Sequence, residues 1–183
     1  WCRFHNSASN GDWRCGIPCR QNEENGNNAP EVYYLGTTAD GEYRTISREG
    51  EDGNMYVCYS DWHNLNGWNR KLMKCPTSGA RAVVYNNTNV PEGAKLTINA
   101  VKTEWRHTNN VEYLNDMGTL YVMVNKQLAA KDGNGDRGLC RDFGAGMACH
   151  AKVQERNIKN INAQFEFIPV TPDASGDISA CPA

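Results

Sequence analysis

The stretch Lys95–His107, KLTINAVKTEWRH, decides the fold class of this chain. Leu96, Ile98 and Ala100, with Lys102 after them, fall on one face of an extended backbone. Thr97, Asn99 and Val101 fall on the other. A period of two with one apolar face marks a half-buried β-strand, because successive side chains of a strand point to opposite sides. The same reading extends outward. GTLYVMVNKQL (Gly118–Leu128) sets Leu120, Val122 and Val124 against Tyr121 and Met123. NAQFEFIPV (162–170) puts Phe165 and Phe167 on one face. Upstream, the turn NVPEGA follows a strand-like ARAVVYN (Ala80–Asn86). Earlier still come EVYYLG (Glu31–Gly36), EYRTIS (Glu42–Ser47) and MYVCYS (Met55–Ser60), separated by ADGE and GEDGN. Short strands punctuated by Gly, Asp and Asn turns predict an all-β sandwich. Little helix is expected, with Ala151–Asn160 the one helical candidate.

The 183 residues suit one domain, and the chain carries 8 cysteines, an even number at irregular spacing. Paired CxxC zinc ligands are missing, and the nearest pair is Cys15-Gly-Ile-Pro-Cys19. Four disulfides formed in an oxidising compartment are therefore expected. The first thirty residues are rich in Cys, Asn and Gly without strand or helix period, and predict a loop-rich, stapled segment. The tail from Asp173 to Ala183 is rich in Pro, Ser, Gly and Asp. It reads as a linker that closes a domain of residues 1–172 and leads toward a second domain.

A net charge of −2, with Lys and Arg scattered, gives no electrostatic footprint for nucleic acid. No run is apolar enough to insert in a membrane. The chain starts at Trp1 without an apolar leader, as expected of a secreted protein whose signal peptide has been removed. GxSxG is absent, and Glu31, Asp61, Glu104 and Glu166 form no distinguished acidic pair, so no enzyme is expected. KDGNGDRG (Lys131–Gly138) begins like a calcium loop. Arg137 then stands where the sharp turn needs Gly, and no Glu follows at the twelfth position. It reads as a glycine turn, and no cofactor is implied. A histidine-held metal is a weaker alternative, and would need His63, His107 and His150 brought together by the fold.

The densest chemistry is SDWHNLNGW (Ser60–Trp68), lying between Cys58 and Cys75. A sugar offers an apolar C–H face and a ring of hydroxyls. A site for it wants a flat aromatic beside groups that donate and accept together. Trp62 or Trp68 supplies the face. Asp61, Asn64 and Asn66 supply the polar groups, with His63 as a wall residue. The bland alternative is that these tryptophans pack on a disulfide in the core. YNNTN (Tyr85–Asn89) and HTNN (His107–Asn110) add amides at other strand ends, and Asn86-Asn87-Thr88 is also a glycosylation sequon.

VYYLGTTADGEYRTISREGEDGNMYVC (Val32–Cys58) and EGAKLTINAVKTEWRHTNNVEYLNDMGTLYVMV (Glu92–Val124) resemble the N-terminal lectin domains of bacterial chaperone–usher fimbrial tip adhesins, nearest to the GlcNAc-binding F17-type branch. The likeness covers about two thirds of the chain. It implies an elongated immunoglobulin-like β-sandwich displayed at a fimbrial tip, with a host glycan or glycoprotein as partner and other fimbrial subunits as neighbours. By position it adds Asp40 and Gly41 to the candidate site, and points again to Asn66, Gly67 and Trp68. The larger cysteine count and the Cys2–Cys19 region have no counterpart in that branch. Two further readings stand beside the lectin: a protein-binding or structural tip module without glycan affinity, and a secreted enzyme acting on polysaccharide.

Overall fold

The computed structural model describes residues 3–7, 13–17, 33–60, 72–108, 111, 119–127, 137–142 and 146–168, the first two segments by backbone alone. The chain is all-β and antiparallel, as the strand periods predict. Its main sheet has seven strands. Six form the path β11(Met147–Lys152), β10(Arg137–Asp142), β9(Tyr121–Asn125), β8(Leu96–Ala100), β4(Arg44–Glu49), β3(Tyr34–Thr37), and β5(Met55–Val57) pairs with β4 beside that path. A second sheet orders β12(Glu166–Ile168), β1(Arg3–Ser7), β2(Trp13–Ile17), and a small ribbon pairs β6(Tyr59–Ser60) with β7(Met73–Lys74). One helical turn, α1(Glu155–Ile158), falls inside the one segment expected to be helical.

The decisive stretch behaves in its first half as read. Leu96 to Ala100 pair in register with Asn125 to Tyr121. The second half leaves the sheet, and Thr103–Trp105 form a 3-10 turn. Lys102 lies over the Trp105 ring at 4.3 Å and covers its face.

The main sheet is buried on both faces where β9, β10 and β11 run. Met123, Cys140, Met147 and Cys149 join Tyr33, Ile46, Leu96, Phe165 and Phe167 in one core. Val122, Val124, Leu139 and Ala151 meet Val101, Leu120, Ile158 and Ala163 in a second. Each such large apolar side chain contributes about 1.5–3 kcal/mol by leaving water. Burial on both faces also blurs alternation. RGLCRD therefore escapes a period-two reading, because Gly138, Leu139 and Cys140 are all buried.

Two disulfides are present among the described residues, Cys58–Cys75 and Cys140–Cys149. Cys140 and Cys149 are direct cross-strand partners of β10 and β11. Cys58 and Cys75 sit one step beyond the Tyr59–Lys74 pair of the β6–β7 ribbon. Both bridges lie in the first core. Cys2, Cys19 and Cys181 fall outside the described residues, and only the backbone of Cys15 is described. The tail 173–183 is likewise outside them.

Three expectations need correction. The N-terminal segment contains a hairpin, with β1 pairing both β2 and β12. Backbone ladders recruit it, and these demand no alternating pattern. MYVCYS divides into β5 and β6 at Cys58, whose N–H donates to the Ile46 carbonyl at 2.7 Å. ARAVVYN is no full strand. It runs beside β5 only through Val57 N–H to Val83 O (2.9 Å), Tyr85 N–H to Met55 O (2.7 Å) and the Tyr56–Val84 bridge. Turns at Gly79–Ala82 and Asn86–Asn89 cut it short on both sides. Among the described residues no helix is long and apolar enough to cross a membrane.

Candidate functional site

Asp40 and Gly41 lie in the turn that joins β3 to β4. Thr38 N–H donates to Tyr43 O at 2.9 Å, and Gly41 N–H to Thr38 O at 2.8 Å. Gly41 takes φ 77°, a left-handed conformation that costs glycine nothing. Asp40 Oδ1 accepts from the Thr38 hydroxyl (2.5 Å) and from Glu42 N–H (3.0 Å). The Thr38 hydroxyl and then the Glu42 amide hold the Asp40 carboxyl below its ordinary pKa, slight burial opposes them, and Lys95 adds to the lowering. Asp40 is therefore an ionised, acceptor-only group at the surface.

A second turn faces it. Asn86 Oδ1 accepts from the Thr88 amide (3.0 Å) and the Thr88 hydroxyl (2.8 Å), and Asn89 N–H donates to Asn86 O at 3.1 Å. The sequon asparagine thus shapes its own turn. The two turns are joined by Ala39 N–H to Asn87 O at 2.9 Å. Below them the Tyr85 hydroxyl donates to Thr37 O at 3.1 Å. The Tyr85 ring lies so close over Gly36 that a β-carbon there would sit 2.6 Å from its oxygen.

Between the turns lies a groove of about 380 Å³, a volume in the range of small-ligand sites. Thr38, Asp40, Asn87, Thr88, Asn89 and Lys95 line it, with Ala39 and Val90 as its apolar patches. Its polar groups both donate and accept, which suits a ligand bearing several hydroxyls.

Of the residues expected at the site, the structure places Asp40 in this groove with Gly41 beside it. The amides of Tyr85–Asn89 converge on the same groove through Asn87 and Asn89. Asp61, Trp62, His63, Asn64, Asn66 and Trp68, with Gly67, lie outside the described residues. The base from which their segment departs is described. Ser60 pairs with Met73 in the β6–β7 ribbon, Cys58–Cys75 closes the next step, and Leu72 bridges to Ala148. Gly93 packs on the Ser60 carbonyl, where a β-carbon would not fit. Lys95, two residues on, lines the groove. One short segment, 92–95, therefore touches both the base of the tryptophan-bearing segment and the polar groove.

For the histidine alternative, His107 follows the 3-10 turn, with its N–H on Gln164 Oε1 at 2.9 Å, and His150 lies on β11. His63 is outside the described residues. Among the described residues no group of three His, Cys, Asp or Glu is placed to hold a metal ion.

Sequence reasoning missed Thr38, Lys95 and the charges beside them. Lys95 stands in sequence at the start of a strand, and nothing local marks it as a groove residue. Only the pairing of β4 with β8 through Arg44 and Leu96 brings it beside Asp40. No family model, curated protein or solved structure matches the chain.

Proposed function

We propose that this chain is the receptor-binding domain of a secreted adhesin, displayed at the cell surface at a fimbrial tip, that holds a host glycan without catalysis. The observation that carries the reading is the groove between the 38–42 and 86–90 turns. There an ionised Asp40 stands with Thr38, Asn87, Thr88 and Asn89 around about 380 Å³. A carboxylate that only accepts, beside amides that do both, matches the donor-and-acceptor pattern of vicinal hydroxyls. The scaffold proposed for it is an immunoglobulin-like sandwich, and Trp62 or Trp68 is proposed as an aromatic face on a second part of the surface.

The test is a glycan array probed with the purified domain, with and without EDTA. Binding to a few related glycans, unchanged by EDTA and lost in Asp40→Asn, is the expected result. Asn keeps an oxygen for the Thr38 and Glu42 donors, so the turn survives while the charge goes. Binding lost in EDTA moves the site to a metal. A blank array from folded protein favours a protein-binding tip module.

A further inference from the structure

We propose that Glu92 is a specificity-determining residue of the groove: it occupies Lys95 and Lys126 and thereby excludes anionic glycans. The inference rests on the glycan reading of the groove and goes beyond it by assigning the charge class of the ligand.

Glu92 Oε1 meets Lys95 Nζ at 2.6 Å and Oε2 meets Lys126 Nζ at 3.4 Å, so one carboxylate holds two ammonium groups. The same two cations lie over the Tyr43 ring, at 5.9 Å for Lys95 and 4.6 Å for Lys126. They are kept side by side by the backbone, since Lys126 N–H donates to Lys95 O at 2.9 Å. Lys95 itself lines the groove, and its side chain is only 19% exposed. The position of Glu92 is also built. It opens the Glu92–Ala94 turn, whose Gly93 is wedged against Ser60 and accepts from Asn125 Nδ2 at 2.8 Å.

The charge count follows from these contacts. The groove's own lining carries one charge of each sign, Asp40 and Lys95, and Glu92 sets its carboxylate against the Lys95 and Lys126 ammonium groups. The Lys95 hydrogen bond, opposed by partial burial and aided by Lys126, holds the Glu92 pKa below the ordinary range, which keeps its carboxylate charged at neutral pH. An anionic sugar entering the groove meets the Asp40 carboxylate and finds Lys95 already taken. An uncharged sugar pays no such cost. Removing the Glu92 charge leaves two ammonium groups on a tyrosine face beside the groove, an arrangement that favours sulfate or carboxylate.

The variant is Glu92→Gln, which is isosteric at a side chain 53% exposed and leaves the turn intact. The probe is a chondroitin sulfate tetrasaccharide, titrated by calorimetry and by amide shifts of the 38–43 and 92–96 segments, at low and high salt. The expected result is weak binding to the wild type and affinity tighter by about tenfold or more in Glu92→Gln. That gain should vanish in high salt and in the double substitution Glu92→Gln/Lys95→Met. Equal binding by both proteins, or no gain in folded Glu92→Gln, overturns the proposal. The two readings fail separately. A blank neutral array together with the Glu92→Gln gain defeats the adhesin function and leaves the role of Glu92 standing. Neutral binding without the gain does the reverse.

Discussion

The α-carbon of Gly93 lies against the carbonyl of Ser60 so closely that a β-carbon would collide with it. The neighbouring atoms are backbone and cannot swing away. The Gln127 side chain closes the same spot, at 2.8 Å from that β-carbon. Gly93→Ala is expected to destabilise the fold by about 1–3 kcal/mol through overpacking. A urea denaturation midpoint measures it, with an unchanged slope showing that the denatured state is unaffected.

Gln164 is the polar tie of the second core. Its Nε2 donates to Trp105 O (2.6 Å) and Ile158 O (2.8 Å), and its Oε1 accepts from His107 N–H (2.9 Å). The side chain is fully buried. Gln164→Leu keeps the volume and strands three backbone groups, so a loss of about 2–4 kcal/mol is expected. The half-buried Asn157 donates to Lys152 O at 2.8 Å without a role in the core, and Asn157→Ala should cost less than about 1 kcal/mol. Thermal melting of both variants gives the comparison, and equal losses would refute the tie.

Asp40 gives the pH dependence. Folding lowers its pKa, as it does for Asp52 and Glu92, so the folded chain binds these protons more weakly than the unfolded one. Their contribution is complete above the ordinary carboxylate range, about pH 4, and is lost as pH falls through the lower folded values. Glycan binding should accordingly persist through the ordinary carboxylate range and fail only below it, as pH falls past the lowered Asp40 value. In Asp40→Asn it should be weaker by roughly tenfold to a hundredfold at neutral pH. Its remaining pH dependence should be flatter. A binding series across acid pH decides this.

The Cys140–Cys149 bridge ties two adjacent strands inside the first core. Replacing both cysteines with Ala should cost about 2–5 kcal/mol. The Cys58–Cys75 bridge closes a separation of 17 residues and is expected to contribute about 3 kcal/mol. Its removal should also weaken glycan binding if the tryptophan-bearing segment takes part. Calorimetric melting and the glycan array, run on both double variants, separate stability from function.

Several elements were legible in the residues because their signals are local. Alternation in Leu96–Ala100 and Tyr121–Asn125 marked two central strands, and the Asp–Gly turns marked the hairpin around Gly41. The β10–β11 hairpin left no such mark. Both faces of these strands are covered, so apolar residues need not alternate, and the one usable signal was the pair Cys140 and Cys149 on either side of a glycine-containing stretch of sequence. The N-terminal strands were hidden for another reason: the pairing of β1 with β12 joins residues far apart in the chain.

By itself the sequence determined the all-β class, the turn chemistry around Asp40, and the presence of cysteines suited to disulfides, since each depends on side-chain period or on a residue's own backbone preference. Only the tertiary structure decided which cysteines among those described are bridged, that Asn87 sits against Ala39, and that Glu92 grips Lys95 and Lys126 beside Tyr43. Apart from the Glu92–Lys95 pair, three residues apart, these contacts join segments separated in the chain. Strand pairing sets their distances, and no property of the separate segments encodes it.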